Sequence, residues 1–190
     1  KMAEASFTEK LDAEALEFFN SVCEKPFSGQ AVAFLNAYWN EVHTEAEFIF
    51  SVAWDKMQYA DMHAKGVSLI HLYEEGTEIE FNIGLYFYEK MCKFVEENPE
   101  WGADNYAMSQ PTMMTSIVRK KELRDKVDVN FDGKVSFLEY LLYQYKDVAN
   151  PSDFITRSMA APEEHPEITK ARLALEAVNK AIREYEAEKG

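Results

Sequence analysis

Residues 128–139, DVNFDGKVSFLE, constrain this chain more than any other stretch. Oxygen-bearing side chains stand at the first, third and fifth places, as Asp128, Asn130 and Asp132. Alternating places turn all three inward around one point. Gly133 follows at the sixth place, where a sharp bend needs a left-handed conformation. Lys134, at the seventh, offers its backbone carbonyl, and Ser136, at the ninth, acts through a water. Glu139 closes the shell with both carboxylate oxygens and ties it to the helix that follows. This is the pattern of an EF-hand loop, so calcium is the expected cofactor. Three carboxylates set the expected Kd in the sensor range, ~10⁻⁷–10⁻⁵ M. Leu123 and Val127 before the loop, and Tyr140 and Tyr143 after it, supply the apolar faces of two flanking helices.

Hands of this type occur in pairs, and Val135 at the eighth place is the residue through which two loops bridge. The segment HLYEEGTEIEF supplies the partner, because Ile79-Glu80-Phe81 echoes Val135-Ser136-Phe137. Its Gly76 stands one place early, and Ile83 occupies the position of the closing glutamate. The expectation is a degenerate hand, with its loop at about 71–83, that pairs structurally and holds no ion.

Helical periodicity runs through most of the remaining chain. Leu11, Ala15, Phe19 and Val22 share one face before Pro26, and Val32, Leu35, Trp39 and Val42 share another. Thr44 with Glu47 reads as a capping box opening a third helix, which carries Phe48, Val52 and Met57 and stops at Gly66. A fourth covers about Asn82 to Glu97, with Leu85, Tyr86, Met91, Phe94 and Val95 as its buried set. Trp101 to Pro111 reads as the longest loop. Asn150-Pro151-Ser152 marks a boundary, and Ala160 to Pro166 is a second irregular stretch. The last helix, from about Pro166 towards the breaker Gly190, carries Ile168, Leu175 and Ile182 interleaved with Ala171, Val178 and Tyr185. That short seam either packs back on the body or projects towards a partner helix.

The expected fold is therefore all-α: a pair of EF-hands, one complete and one degenerate, packed with additional helices and a long C-terminal helix. Three regions follow: an N-terminal helical region (1–66), the EF-hand pair (67–150), and a linker with the C-terminal amphipathic helix (151–190).

A formal net charge of −14 disfavours nucleic acid and anionic membrane as partners. Cys23 and Cys92 lie too far apart for a CxxC site and suit a reducing compartment. The N-terminal stretch, with Glu4, Glu9, Lys10, Asp12 and Glu14, does not resemble a signal peptide, and no apolar run reaches membrane-spanning length. A cytoplasmic protein is expected. His43, His63, His71 and His165 lack ligand spacing, and no catalytic constellation stands out, so an enzyme is not expected. One cluster opposes the acidic background: Arg119, Lys120, Lys121, Arg124 and Lys126, on the helix entering the calcium loop. It is either a solvated face paired with Glu122 and Asp125, or a contact for a partner sensitive to the ion.

The strings SFTEKL, QAVAFLNAYW, EAEFIFSVAW, YADMHAKG, LYFYEKMCKF, KVDVNFDGKVSFLEYLLYQYKD and EEHPEITKARLALEAVNK resemble the amoeboid (slime-mould) calcium-regulated actin-bundling proteins, from Ser6 to about Lys180. The resemblance implies a monomer that cross-links actin filaments in the cell cortex and filopodia, with calcium weakening the cross-linking. It carries the calcium ligands onto Asp128, Asn130, Asp132, Lys134, Ser136 and Glu139. It also implies a longer protein, with much of the actin binding in a segment beyond residue 190, so this chain is expected to be the regulatory part. The basic cluster is the candidate actin contact. The alternative is a generic EF-hand sensor or buffer that captures an amphipathic target helix.

Overall fold

The computed structural model describes residues 7–160 and 163–189. Glu4, Ser6, Gly190 and the centre of the irregular stretch at 160–166 lie outside the described residues. Helices α1 (Ala13–Cys23) and α2 (Phe27–Val42) form a hairpin around Pro26, and Asp12 caps the first by accepting from the Ala15 N–H at 2.8 Å. The chain then continues through a 3-10 turn (His43–Glu45), α3 (Ala46–Phe48), a π-helical turn (Ile49–Ala53) and α4 (Trp54–Lys65). Gly66 closes α4 in the left-handed region, as the sequence indicated. The expected capping box at Thr44 and Glu47 does not form. Glu47 accepts instead from the Tyr106 hydroxyl, and Glu45 accepts from Ser109 Oγ at 2.8 Å, so tertiary partners take both carboxylates.

Next come a 3-10 turn (Ile70–Leu72), strand β1 (Glu78–Glu80) and α5 (Phe81–Glu97). Gly84, Phe87, Tyr88 and Met91 are the fully buried face of α5, whereas Leu85, Tyr86, Phe94 and Val95 pack only at its margin. Of the expected buried set, only Met91 is right. The expected loop at 101–111 is built of short helical turns, including α6 (Ala103–Tyr106). Trp101 and Tyr106 stack on each other at 5.2 Å and both pack against Phe48, which gives this segment its own apolar anchor.

Helix α7 (Ser116–Glu122) leads through a second π-helical turn (Leu123–Val127) to the calcium loop, strand β2 (Lys134–Ser136) and α8 (Phe137–Gln144). Helices α9 (Phe154–Ala160) and α10 (Pro166–Lys189) complete the chain. The fold is all-α apart from β1 and β2, which pair antiparallel with Ile79 opposite Val135.

A single apolar cluster runs from Phe19 to Ile168. Its centre is aromatic: Phe27 meets Phe137 edge-on at 6.2 Å, and Tyr140 packs on Phe87 at 5.0 Å. Each such ring contributes about 1.5–3 kcal/mol through burial. The α10 seam is divided. Ile168 is buried and Ala171 and Leu175 pack on the body, but Val178, Ile182 and Tyr185 face solvent. Beyond Leu175 the helix is held by polar contacts: Glu186 accepts from His71 N–H at 2.9 Å, and Arg183 donates to the Tyr73 carbonyl at 2.9 Å.

Candidate metal centre

Thr115 caps α7, its side chain accepting from Val118 N–H. The π turn then widens the helix, so that Asp128 N–H reaches back to the Leu123 carbonyl at 2.8 Å. This brings the Asp128 side chain under the loop, where its carboxylate accepts from the Asp132 and Gly133 N–H groups at 3.2 and 2.9 Å. Gly133 has φ +80°, the left-handed bend the sixth place demands. Phe131 is also left-handed, at φ 58°, and the residue is 58% exposed. A bulky residue pays about 1 kcal/mol there and gains little burial. Phe131→Asn should therefore stabilise the calcium-free protein by roughly 0.5–1 kcal/mol in urea unfolding.

Glu139 stands in the first turn of α8, where it forms a capping box with Ser136. Its carboxylate accepts from Val129 N–H (2.8 Å), Ser136 N–H (2.9 Å) and Ser136 Oγ (3.0 Å). The Ser136 hydroxyl thus donates to Glu139 and orients it, which leaves one lone pair for a bridging water. Asp128, Asp132 and Glu139 each offer an oxygen within 4.8 Å of the others. Asn130 adds a buried Oδ1 with no hydrogen-bond partner, although its Nδ2 donates to Asn20 Oδ1 at 3.3 Å. Three converging carboxylates, with an orphaned amide oxygen in the same loop, fit a hard divalent cation.

The electrostatics agree. Burial first, then repulsion by Asp128 and Asp132, pushes the Glu139 carboxyl up to about 8. Burial is also the main cause that raises Asp128, to about 6, with Asp132 adding to it. A bound calcium ion supplies the countercharge that these carboxylates lack.

The degenerate hand lies alongside, and its strand has the register that the Ile79–Val135 match predicted. Its loop is held by protein groups. Lys65 Nζ lies 2.9 Å from Asp61 Oδ2 and donates to the Glu74 carbonyl at 3.2 Å. Tyr73 OH donates to the same Asp61 oxygen at 2.7 Å. A Cβ at Gly76 would come within 2.5 Å of Asp61 Oδ2, so this close approach requires glycine. Glu75 accepts from Ser28 N–H and Trp54 Nε1.

The basic cluster divides. Lys120, Lys121, Arg124 and Lys126 are exposed. Arg119 is buried, paired with Glu122 at 2.7 Å, donating to the Thr112 carbonyl and lying 3.8 Å over the Tyr88 ring. It is therefore a bracing residue and not part of an open contact surface. Arg124 pairs with the neighbouring Asp125 at 2.8 Å, as the solvated-face reading expected, and exposed Met113, Ile117 and Val118 stand beside these four exposed cations in sequence. Two residues escaped sequence reasoning: Lys65, and Glu78, whose carboxylate lies against that of Asp132. Neither belongs to a local motif.

No protein-family model matches the chain. It is 65% identical over 186 residues to the calcium-regulated actin-bundling protein of Dictyostelium discoideum, covering 97% of this chain and 62% of that relative. The chain thus spans less than two thirds of that relative's length. The crystal structure of the 34 kDa F-actin bundling protein from the same organism matches with a TM-score of 0.82 at 64% identity, covering 94% of this chain and 69% of that one. With this identity across most of both chains, the protein belongs to the family of these calcium-regulated actin-bundling proteins.

Proposed function

We propose that this chain is the calcium-responsive part of a monomeric actin cross-linker of the cytoskeleton, acting at the cell cortex and in filopodia, and that calcium weakens its cross-linking. The observation that carries the reading is the convergence of Asp128, Asp132 and Glu139, with the orphaned Asn130 oxygen in the same loop, in a chain so similar to a calcium-regulated bundler. The proposed ligands are Asp128, Asn130, Asp132, the Lys134 carbonyl, Ser136 acting through a water, and Glu139. In our reading, residues 1–66 form a scaffold, 67–150 the paired hands and 151–190 the outgoing arm.

Glu139 belongs to the first turn of α8, so re-aiming its carboxylate re-aims that helix. Tyr143, about one turn further on, donates to Glu122 of α7 at 2.9 Å, and Glu122 in turn holds Arg119. Ion occupancy is thereby coupled to α7, which presents Lys120 and Lys121, and to the π-helical turn after it, which presents Arg124 and Lys126. Those four are the proposed actin contact. Their charge opposes the acidic background and suits an acidic filament surface.

Co-sedimentation with actin filaments tests this. The chain, joined to the additional residues its relative carries, should pellet with filaments and bundle them less in calcium. Combining Lys120→Glu, Lys121→Glu and Arg124→Glu should lower the pelleted fraction about 5-fold at low salt, and less at high salt. No pelleting in either condition would leave a calcium-binding helical protein with another target.

A further inference from the structure

The strand pairing sets a residue of the degenerate hand beside the calcium loop. Directly opposite residues of an antiparallel pair project to the same face. Ile79 and Val135 take the core face, so Glu78, opposite Ser136, and Lys134, opposite Glu80, take the other. On that face the Glu78 carboxyl is raised first by burial and then by the neighbouring Asp132 carboxylate. It also lies 3.7 Å from the Lys134 ammonium. About a third of the Glu78 side chain is exposed, at 31%, so its field is screened without being lost.

We propose that Glu78 is a cross-hand positioning residue for the calcium loop: acting through Asp132, it adds a fourth negative charge to the field that draws the cation. This rests on the calcium reading given above. With the loop empty of countercharge, Glu78 and Asp132 repel each other. A divalent cation held by Asp132 turns that repulsion into net attraction. Lys134 works against it, because its ammonium pairs with Glu78 and opposes the approaching ion.

The arrangement makes an unusual demand on two variants. Glu78→Gln and Lys134→Met break the same ion pair, so a merely structural role would move calcium affinity in the same direction. The electrostatic role moves it in opposite directions. Calcium titration calorimetry on the whole chain should show Kd rising about 3- to 10-fold in Glu78→Gln at low salt, and by less than about 2-fold in 0.5 M salt. Lys134→Met should lower Kd about 2- to 3-fold. Glu78→Asp should restore most of the wild-type value. As a second readout, the calcium-free Glu78→Gln protein should melt higher than wild type, and that advantage should vanish in saturating calcium.

An unchanged Kd for Glu78→Gln at low salt overturns the proposal, as do shifts of the same sign in both variants. If the wild-type chain takes up no calcium, the calcium reading itself fails and takes the proposal with it.

Discussion

Replacing Glu139 by glutamine should raise the calcium Kd by about 100-fold or more, since loss of a partner outside the ligand shell alone costs 10–100-fold. Of the proposed ligands, Glu139 is the one that belongs to α8, so it ties the loop to that core helix. Glutamine keeps the volume and one acceptor oxygen, so Ser136 N–H or Val129 N–H keeps a partner and the helix start survives. The fold should persist, with circular dichroism unchanged, while calorimetry detects little calcium uptake. In the longer protein the same variant should bundle actin equally with and without calcium. A variant that still binds within a few-fold of wild type would mean that the ion is held elsewhere.

The second large effect is on pH. In the calcium-free fold the Glu139 carboxyl sits at about 8, against an ordinary value of 4.5. The folded state therefore binds that proton more tightly than the unfolded chain. The corresponding stability is complete below pH 4.5 and is lost as pH rises towards 8. Asp128, raised to about 6, acts in the same direction over a lower window. The lowered carboxyls of Glu164 and Glu186 matter only below their ordinary 4.5. Calcium-free protein should thus be less stable at pH 8 than at pH 5.5, by on the order of 2 kcal/mol. Saturating calcium should reverse the trend, because binding requires the deprotonated carboxylates. Urea unfolding at the two pH values, with calcium and with chelator, checks both signs. Calcium-free stability that climbs across this window would contradict the buried-carboxylate account.

The geometry of the loop was legible because its information is local: twelve consecutive residues set the bend at Gly133 and the convergence of Asp128, Asp132 and Glu139. The β1–β2 register was legible for a related reason, as both strands repeat an apolar-polar-aromatic triplet. Helix α5 was not. Leu85, Tyr86, Phe87 and Tyr88 are apolar or aromatic in succession, so periodicity cannot choose which of them meets the core. The contact of Gly84 with Leu123, where a Cβ would come within 2.9 Å of Cδ1, fixes the choice from another element. Arg119 looked like its cationic neighbours until α5 brought Tyr88 beneath it. The capping box at Thr44 gave way to partners about 60 residues away, which no window along the chain can reveal. Glu78 and Lys65 act across the fold and carry no local mark.

The tethered ammonium of Lys65 bears on the shape of the calcium response. A pair of hands that both load an ion can be cooperative, because filling one prepares the other. In our reading, one loop is braced by a covalently attached cation in place of calcium, and its state does not change during a calcium pulse. In our reading a single site remains to be filled. Its occupancy follows a simple hyperbola with a Hill coefficient near one, needing about an 80-fold span of calcium to pass from one tenth to nine tenths full. The proposed cross-linker would then grade its grip on the filament network with the signal, where a cooperative pair would switch.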